Sequence, residues 1–218
     1  MSKSDEHNFA ESLNALDALA AGLAESAAPV RFAVAQSTAE REAAFRLRGQ
    51  ALIERGAARP EDFPDGMEYD EHDERAVQIV GWHGQWPIAT GRLVTPAPGK
   101  VLPTEQAFGL TIEPRGQVVD IGRYVVLGKF AQKESRYFVG LLGFCWLEAR
   151  RRGYIRVCGT ASAGMLRHYR RIGFIVTELA PPHVYYGEER FPCWYDVVGS
   201  IQVLRAKWGS KGAAEASV

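Results

Sequence analysis

Residues 117–174 constrain the fold more than any other stretch. They open with Gln117-Val118-Val119-Asp120-Ile121-Gly122-Arg123-Tyr124-Val125-Val126-Leu127, two apolar runs around one charged cluster. Such β-branched runs suit the pleated surface of a strand. A helix is predicted over 135–152, with Val139, Leu142, Phe144, Trp146 and Leu147 as its apolar residues. Gly153 ends it, and Arg150, Arg151 and Arg152 crowd its last turn, where cations offset the helix dipole. A second strand is predicted over 155–160 and a second helix from Met165 to Ile172, stopped by Gly173-Phe174. Strand–helix–strand–helix means neighbouring strands with helices covering the sheet.

At 218 residues, 46% hydrophobic and 24% charged, the chain is expected to form one generous globular domain. Its 26 basic and 26 acidic residues cancel, which leaves no electrostatic footprint for nucleic acid. Cys145, Cys158 and Cys193 share no metal-ligand spacing, so no metal and a reduced, cytoplasmic setting are expected. No stretch approaches the ~20 apolar residues of a transmembrane helix. Residues 1–29 read as an extension, partly helical or disordered, with Leu13, Leu16, Leu19 and Leu23 at helical spacing. Residues 30–208 read as the domain and 209–218 as a flexible tail. Within the domain, Ser37-Thr38-Ala39-Glu40 supplies helix-start chemistry after a strand at 30–35.

Tyr169-Arg170-Arg171-Ile172-Gly173-Phe174 resembles the Y-x-x-x-G-F ending of the acyl-CoA-binding core in GNAT acyltransferases. The resemblance implies an α/β GNAT fold. Its central sheet is mixed, mostly antiparallel, splayed between two strands and flanked by helices, with the acyl thioester in the gap. Phe45-Arg46-Leu47-Arg48 resembles the F-x-L-R segment of two GNAT branches, the acyl-homoserine-lactone synthases and the N-acyl amino acid synthases. Glu68, Asp70 and Asp73 fall on the acids of the lactone synthases' E-x-D-x-F-D signature, with His72 at the phenylalanine. Ala89-Thr90-Gly91-Arg92-Leu93 and Asp120-Ile121-Gly122-Arg123 resemble the G-x-x-R-L and E/D-x-S-R motifs, with Gly122 at the serine. The lactone synthases' tryptophan, due near Ala57 or Ala58, is absent.

The resemblance implies transfer of an acyl group to the amine of an amino acid or amino-acid-like metabolite. Acyl-CoA or an acyl-carrier protein would be the co-substrate, and no cofactor would be tightly bound. An amine attacks a thioester only when unprotonated, so a base is required. Asp120 is the candidate, with Asp70 or Glu68 as substitutes. A backbone N–H near Tyr124 to Val126 would polarise the carbonyl, and Tyr169 would protonate the leaving thiolate. Arg48, Asp73, Arg92, Arg123, Tyr124, Val126, Phe144, Trp146 and Tyr186 are the substrate-binding candidates. A Q/R-x-x-G-x-G/A phosphate loop is missing, and Lys129, Lys133, Ser135 and Arg136 stand in its place. These four, with Arg150 and Arg170, are candidates for holding CoA or a carrier protein, although solvated helix faces explain the arginines equally well. The alternatives are a lactone synthase using S-adenosylmethionine, an acetyl-CoA-dependent N-acetyltransferase, and a non-catalytic acyl-thioester-binding domain.

Overall fold

The computed structural model describes residues 3–128 and 134–209. An eight-stranded sheet runs in the order β1-β2-β3-β4-β5-β8-β6, with β7 pairing the far end of β8. The strands are β1 (Val30–Val34), β2 (Ala76–His83), β3 (Trp86–Val94), β4 (Val118–Val126), β5 (Arg156–Ser162), β6 (Ile175–Glu178), β7 (His183–Tyr185) and β8 (Glu188–Asp196). The helices are α1 (Lys3–Ser26), α2 (Thr38–Glu54), α3 (Pro103–Phe108), α4 (Glu134–Arg151), α5 (Ala163–Ile172) and α6 (Ile201–Trp208). Among the described residues, only the β4–β5 pairing is parallel. This is the mixed, mostly antiparallel sheet that the resemblance implies. No described helix is long and apolar enough to cross a membrane.

Local chemistry fixes the helix ends. Ser37 accepts a hydrogen bond from the Glu40 N–H at 3.2 Å, and Glu40 accepts from the Ser37 N–H at 2.9 Å. This reciprocal cap starts α2 where the sequence places it. Gly173 ends α5 at φ +115°, a conformation that a side chain would strain.

β4 and β5 pair only from Val118↔Arg156 to Asp120↔Cys158, and then part. Two features set the split. A Cβ on Gly159 would collide with the Ile121 carbonyl oxygen, so glycine alone permits the last close approach. Next, the β3–β4 register slips between Thr90 and Arg92, where Arg123 adopts φ +55°. A bulge of this kind flips the alternation of side chains. Before it, Val118 packs with Leu102 and Ile112 near α3, while Val119 and Ile121 join the main core under α4. After it, Val125 and Leu127 pack on Leu47 and Ala51 of α2, and Tyr124 and Val126 turn to the α4 side.

α1 lies across α4 and α6. Two glycines of α4 permit this. A Cβ on Gly143 would sit 2.6 Å from the Ala20 carbonyl oxygen, and one on Gly140 would sit 2.8 Å from the Ala27 Cβ. Both glycines thus admit a neighbouring helix.

Candidate active site

The divergence of β4 and β5 opens a cleft of about 870 Å³ that passes through the sheet. Arg48, Glu68, Arg92 and Arg123 line its α2 side, Asp120 lies at the split, and Tyr169 stands on the α5 side.

The α2 side is a network of three guanidiniums and three carboxylates. Arg48 reaches Asp73 with two parallel bonds, Nη1–Oδ1 at 2.8 Å and Nη2–Oδ2 at 2.9 Å, and donates Nε–H to Glu68. Arg92 Nη1 donates to Asp70 Oδ1 at 2.7 Å and lies 3.1 Å from Asp73. Arg123 donates to Glu68 at 3.2 Å and to Asp70 at 2.8 Å. The buried Gln78 amide and the Asp70 N–H both donate to Asp73 at 2.8 Å. Three positive charges meet three negative ones, and fork-to-fork geometry satisfies most of their donors and lone pairs. That balance is what lets Arg48 and Arg92 sit 2% exposed. Burial pushes the carboxyl pKa of Glu68 up, but Arg123 and Arg48 outweigh it and hold Glu68 below its ordinary value. Asp73 behaves likewise under Arg48 and Arg92. Carboxylates held this way are poor proton acceptors at neutral pH.

Tyr186 joins the network from the β7–β8 turn at φ +56°. Its hydroxyl donates to Glu68 Oε1 at 3.0 Å and accepts from Arg123, whose guanidinium also lies 3.9 Å from the ring centroid. The closing hairpin is thereby tied to the acidic string.

Asp120 stands apart from these ion pairs. Its Oδ2 accepts from the Thr104 N–H at 2.7 Å, at the start of α3. Burial raises its pKa above the ordinary 3.8, and the Thr104 hydrogen bond and the more distant Arg92 and Arg123 offset only part of that. A desolvated carboxyl on a cleft wall, without a salt bridge, can take up a proton that its neighbours cannot. Tyr169 is buried among Phe138, Phe174 and Tyr195, and burial raises its pKa as well. It keeps its proton at any physiological pH. Leu127 donates its N–H to Ile88 of β3, so the pleat turns the Val126 N–H into the gap.

The other sequence-derived candidates fall in different places. Tyr124 and Val126 line the cleft. Trp146 lines a smaller apolar pocket behind Tyr124 and Tyr169. Phe144 does not reach either space; it packs on Phe32 with ring centroids 6.0 Å apart. Arg136, Arg150 and Arg170, the candidates for holding CoA or a carrier protein, do not line the cleft either. Arg136 donates to the Ala28 carbonyl at 2.7 Å, Arg150 pairs with Asp17 at 3.2 Å, and Arg170 pairs with Glu178 at 2.9 Å. Each is engaged by a neighbouring acceptor on its own surface. Lys129 and Lys133 lie outside the described residues, as does the Ser135 side chain.

Sequence reasoning missed Thr104 and Arg190. The signal for Thr104 was present: Leu102-Pro103-Thr104-Glu105 sets proline at the first helical turn, and Glu105 accepts from the Leu102 N–H at 2.8 Å. Arg190 lines the cleft from β8, and its buried Nε has no hydrogen-bond partner among the described residues. Nothing local in Glu188-Glu189-Arg190 marks it, because its place depends on Ser162↔Arg190 pairing across the sheet.

No protein-family model matches the sequence, and no curated protein matches it. The fold, by contrast, matches solved structures. TofI, solved in a ternary complex with an inhibitor and MTA, superposes with a TM-score of 0.62 at 19% identity, over 79% of this chain and 96% of TofI. BjaI, a CoA-dependent acyl-homoserine lactone synthase solved with SAM and isopentyl-CoA, gives 0.57 at 22% identity, over 77% and 81%. FeeM, an N-acyl amino acid synthase from uncultured soil microbes, gives 0.60 at 14% identity, over 82% and 94%. The fold is that of the GNAT acyltransferases, and its structural neighbours include both acyl-chain branches. At these identities the likeness establishes the architecture, and the chemistry has to be argued from the cleft.

Proposed function

We propose that this chain is an N-acyltransferase that moves an acyl group from a thioester to the amine of an amino acid or amino-acid-like metabolite. One observation carries the reading. The gap between β4 and β5 places an unpaired, desolvated carboxyl, Asp120, and a buried phenol, Tyr169, along a single cleft.

The steps follow from that placement. Ionised Asp120 takes a proton from the ammonium group of the acceptor. The free amine attacks the thioester carbonyl, forming the C–N bond and an oxyanion that the Val126 N–H stabilises. Collapse breaks the C–S bond, and the departing thiolate takes the Tyr169 proton. The proton held by Asp120 and the one left on the new amide nitrogen return to solvent and to Tyr169. The acyl chain enters the apolar pocket on the α4 side, behind Tyr124 and Tyr169. The acceptor carboxylate meets Arg190, whose Nε has a donor to spare. Acyl-CoA or an acyl-carrier protein serves as donor, since both present the same pantetheine thioester.

The likeness to BjaI gives a second reading some weight, an acyl-homoserine-lactone synthase acting on S-adenosylmethionine. A thiol-release assay with an acyl-pantetheine thioester separates these. The proposal expects release that depends on an added amino acid, with the amide identified by mass. Release that requires S-adenosylmethionine would favour the lactone synthase. Binding of the thioester without any release would instead leave a non-catalytic domain.

A further inference from the structure

Two small apolar voids lie behind the cleft, and they adjoin. The first, about 50 Å³, is walled by Ile121, Tyr124, Tyr169 and Tyr195 on the sheet and α5 side. The second, about 40 Å³, lies beneath α1 against Leu16, Ala20 and Leu23. They share Leu142, Trp146, Phe174 and Val197 as lining residues. Tyr124 and Tyr169 also line the main cleft, so the first void opens behind the thioester position.

Trp146 stands between the two voids, 5% exposed. Its indole N–H donates to Asp17 Oδ1 of α1 at 2.7 Å, and Arg150 holds the same carboxylate at 3.2 Å. The ring that ends the first void is therefore fixed in place by the N-terminal helix.

We infer that Trp146, pinned by Asp17, is the stop that limits acyl-chain length, which makes the donor a short-chain acyl thioester. The inference rests on the acyltransferase reading above. A water-sized group needs ~10–15 Å³ of such volume, so the first void holds roughly four chain carbons, and an acyl group of about four to six carbons ends at the indole. The second void would take roughly three more, but only if the indole moves. Asp17 acts through Trp146 as a positioning residue.

The test uses S-alkyl pantetheines, thioethers that cannot transfer their chain and that carry the arm common to CoA and carrier proteins. Butyl, hexyl, octyl and decyl forms are titrated calorimetrically against the full chain. The wild-type protein is expected to bind the butyl and hexyl forms best, with affinity falling about tenfold or more per methylene beyond the stop. Trp146→Leu, which keeps an apolar filler, is expected to move the optimum to the octyl form. Asp17→Ala, on the surface side of the same contact, is expected to relax the penalty on longer chains while leaving butyl affinity unchanged. Wild-type affinity that rises steadily through decyl would overturn the length stop and leave the acyltransferase reading standing. So would variants that bind with the wild-type profile. Failure of the wild-type protein to bind any of the four would overturn both.

Discussion

Arg48 on α2 and Asp73, just before β2, meet through two parallel N–H···O bonds of 2.8 and 2.9 Å, with the arginine 2% exposed. This contact holds α2 and the acidic string against the sheet. Removing Arg48 takes the nearest cation from both Asp73 and Glu68 and leaves the buried network one positive charge short, with Arg92 at 3.1 Å and Arg123 at 3.2 Å; breaking a buried pair in this way costs about 3–5 kcal/mol. Arg48→Ala should lower unfolding free energy by that amount in urea titration. A loss below about 1 kcal/mol would mean that water relieves the charge left behind.

Glu68 and Asp73 make stability pH-dependent. Burial raises both pKa values, but the arginines override it, so both folded values lie below the ordinary 4.5 and 3.8. The unfolded chain then binds more protons than the folded one in this window. Their stabilisation is complete above the ordinary values and is lost as pH falls through the depressed ones. Thermal melts should show Tm falling as pH drops below about 4.5, with a shallower fall in Asp73→Asn.

Asp120 has the opposite sign. Its folded pKa lies above 3.8, so the ionised form, the one the proposed mechanism uses as base, is itself destabilising. Asp120→Asn, which can still accept from the Thr104 N–H, should hold or raise Tm at pH 7. It should also lower kcat/KM by roughly 10²–10⁴-fold. In the wild-type protein the acidic limb of the kcat/KM profile should fall above pH 3.8 and disappear in the variant. A variant that keeps wild-type rates would remove Asp120 from the chemistry.

Tyr169→Phe should lower kcat by about 10²-fold or more while leaving KM near its wild-type value. A thioester with a more acidic thiol needs less help in leaving. The defect should therefore shrink with an aryl thioester, whereas a purely packing role for Tyr169 would leave it the same for both donors.

Gly143 marks where α1 touches α4, with the Ala20 carbonyl 2.6 Å from the position of an added Cβ. Gly143→Val should cost about 1–3 kcal/mol and lift α1. Hydrogen exchange would show faster opening in α1 than in β4.

Much of this was legible in the chain because charge patterns report their own partners. Glu68, Asp70 and Asp73 are too dense to stand without arginines, and Arg48, Arg92 and Arg123 do face them. The place of Asp120 on the central strand was legible, but its separation from that network was not. The separation depends on the bulge at Arg123, which sends the arginine to Glu68 and leaves the aspartate to Thr104. A one-residue slip in a strand has no signature in hydrophobic alternation when the strand is apolar on both faces. The ion pairs of Arg150 and Arg170 were hidden for a related reason. Their partners, Asp17 and Glu178, lie on other elements, so sequence spacing shows the positive charge and hides what neutralises it.

The most direct test of the central claim is mass spectrometry of extracts from cells that produce this chain, beside cells that produce Asp120→Asn. N-acyl amino acids present with the wild-type chain and absent with the variant are the predicted result, and their masses identify both halves of the product. In an extract that contains the amino acids and acyl thioesters, the absence of any new N-acylated amine would contradict the account. Acyl-homoserine lactones in their place would contradict it equally.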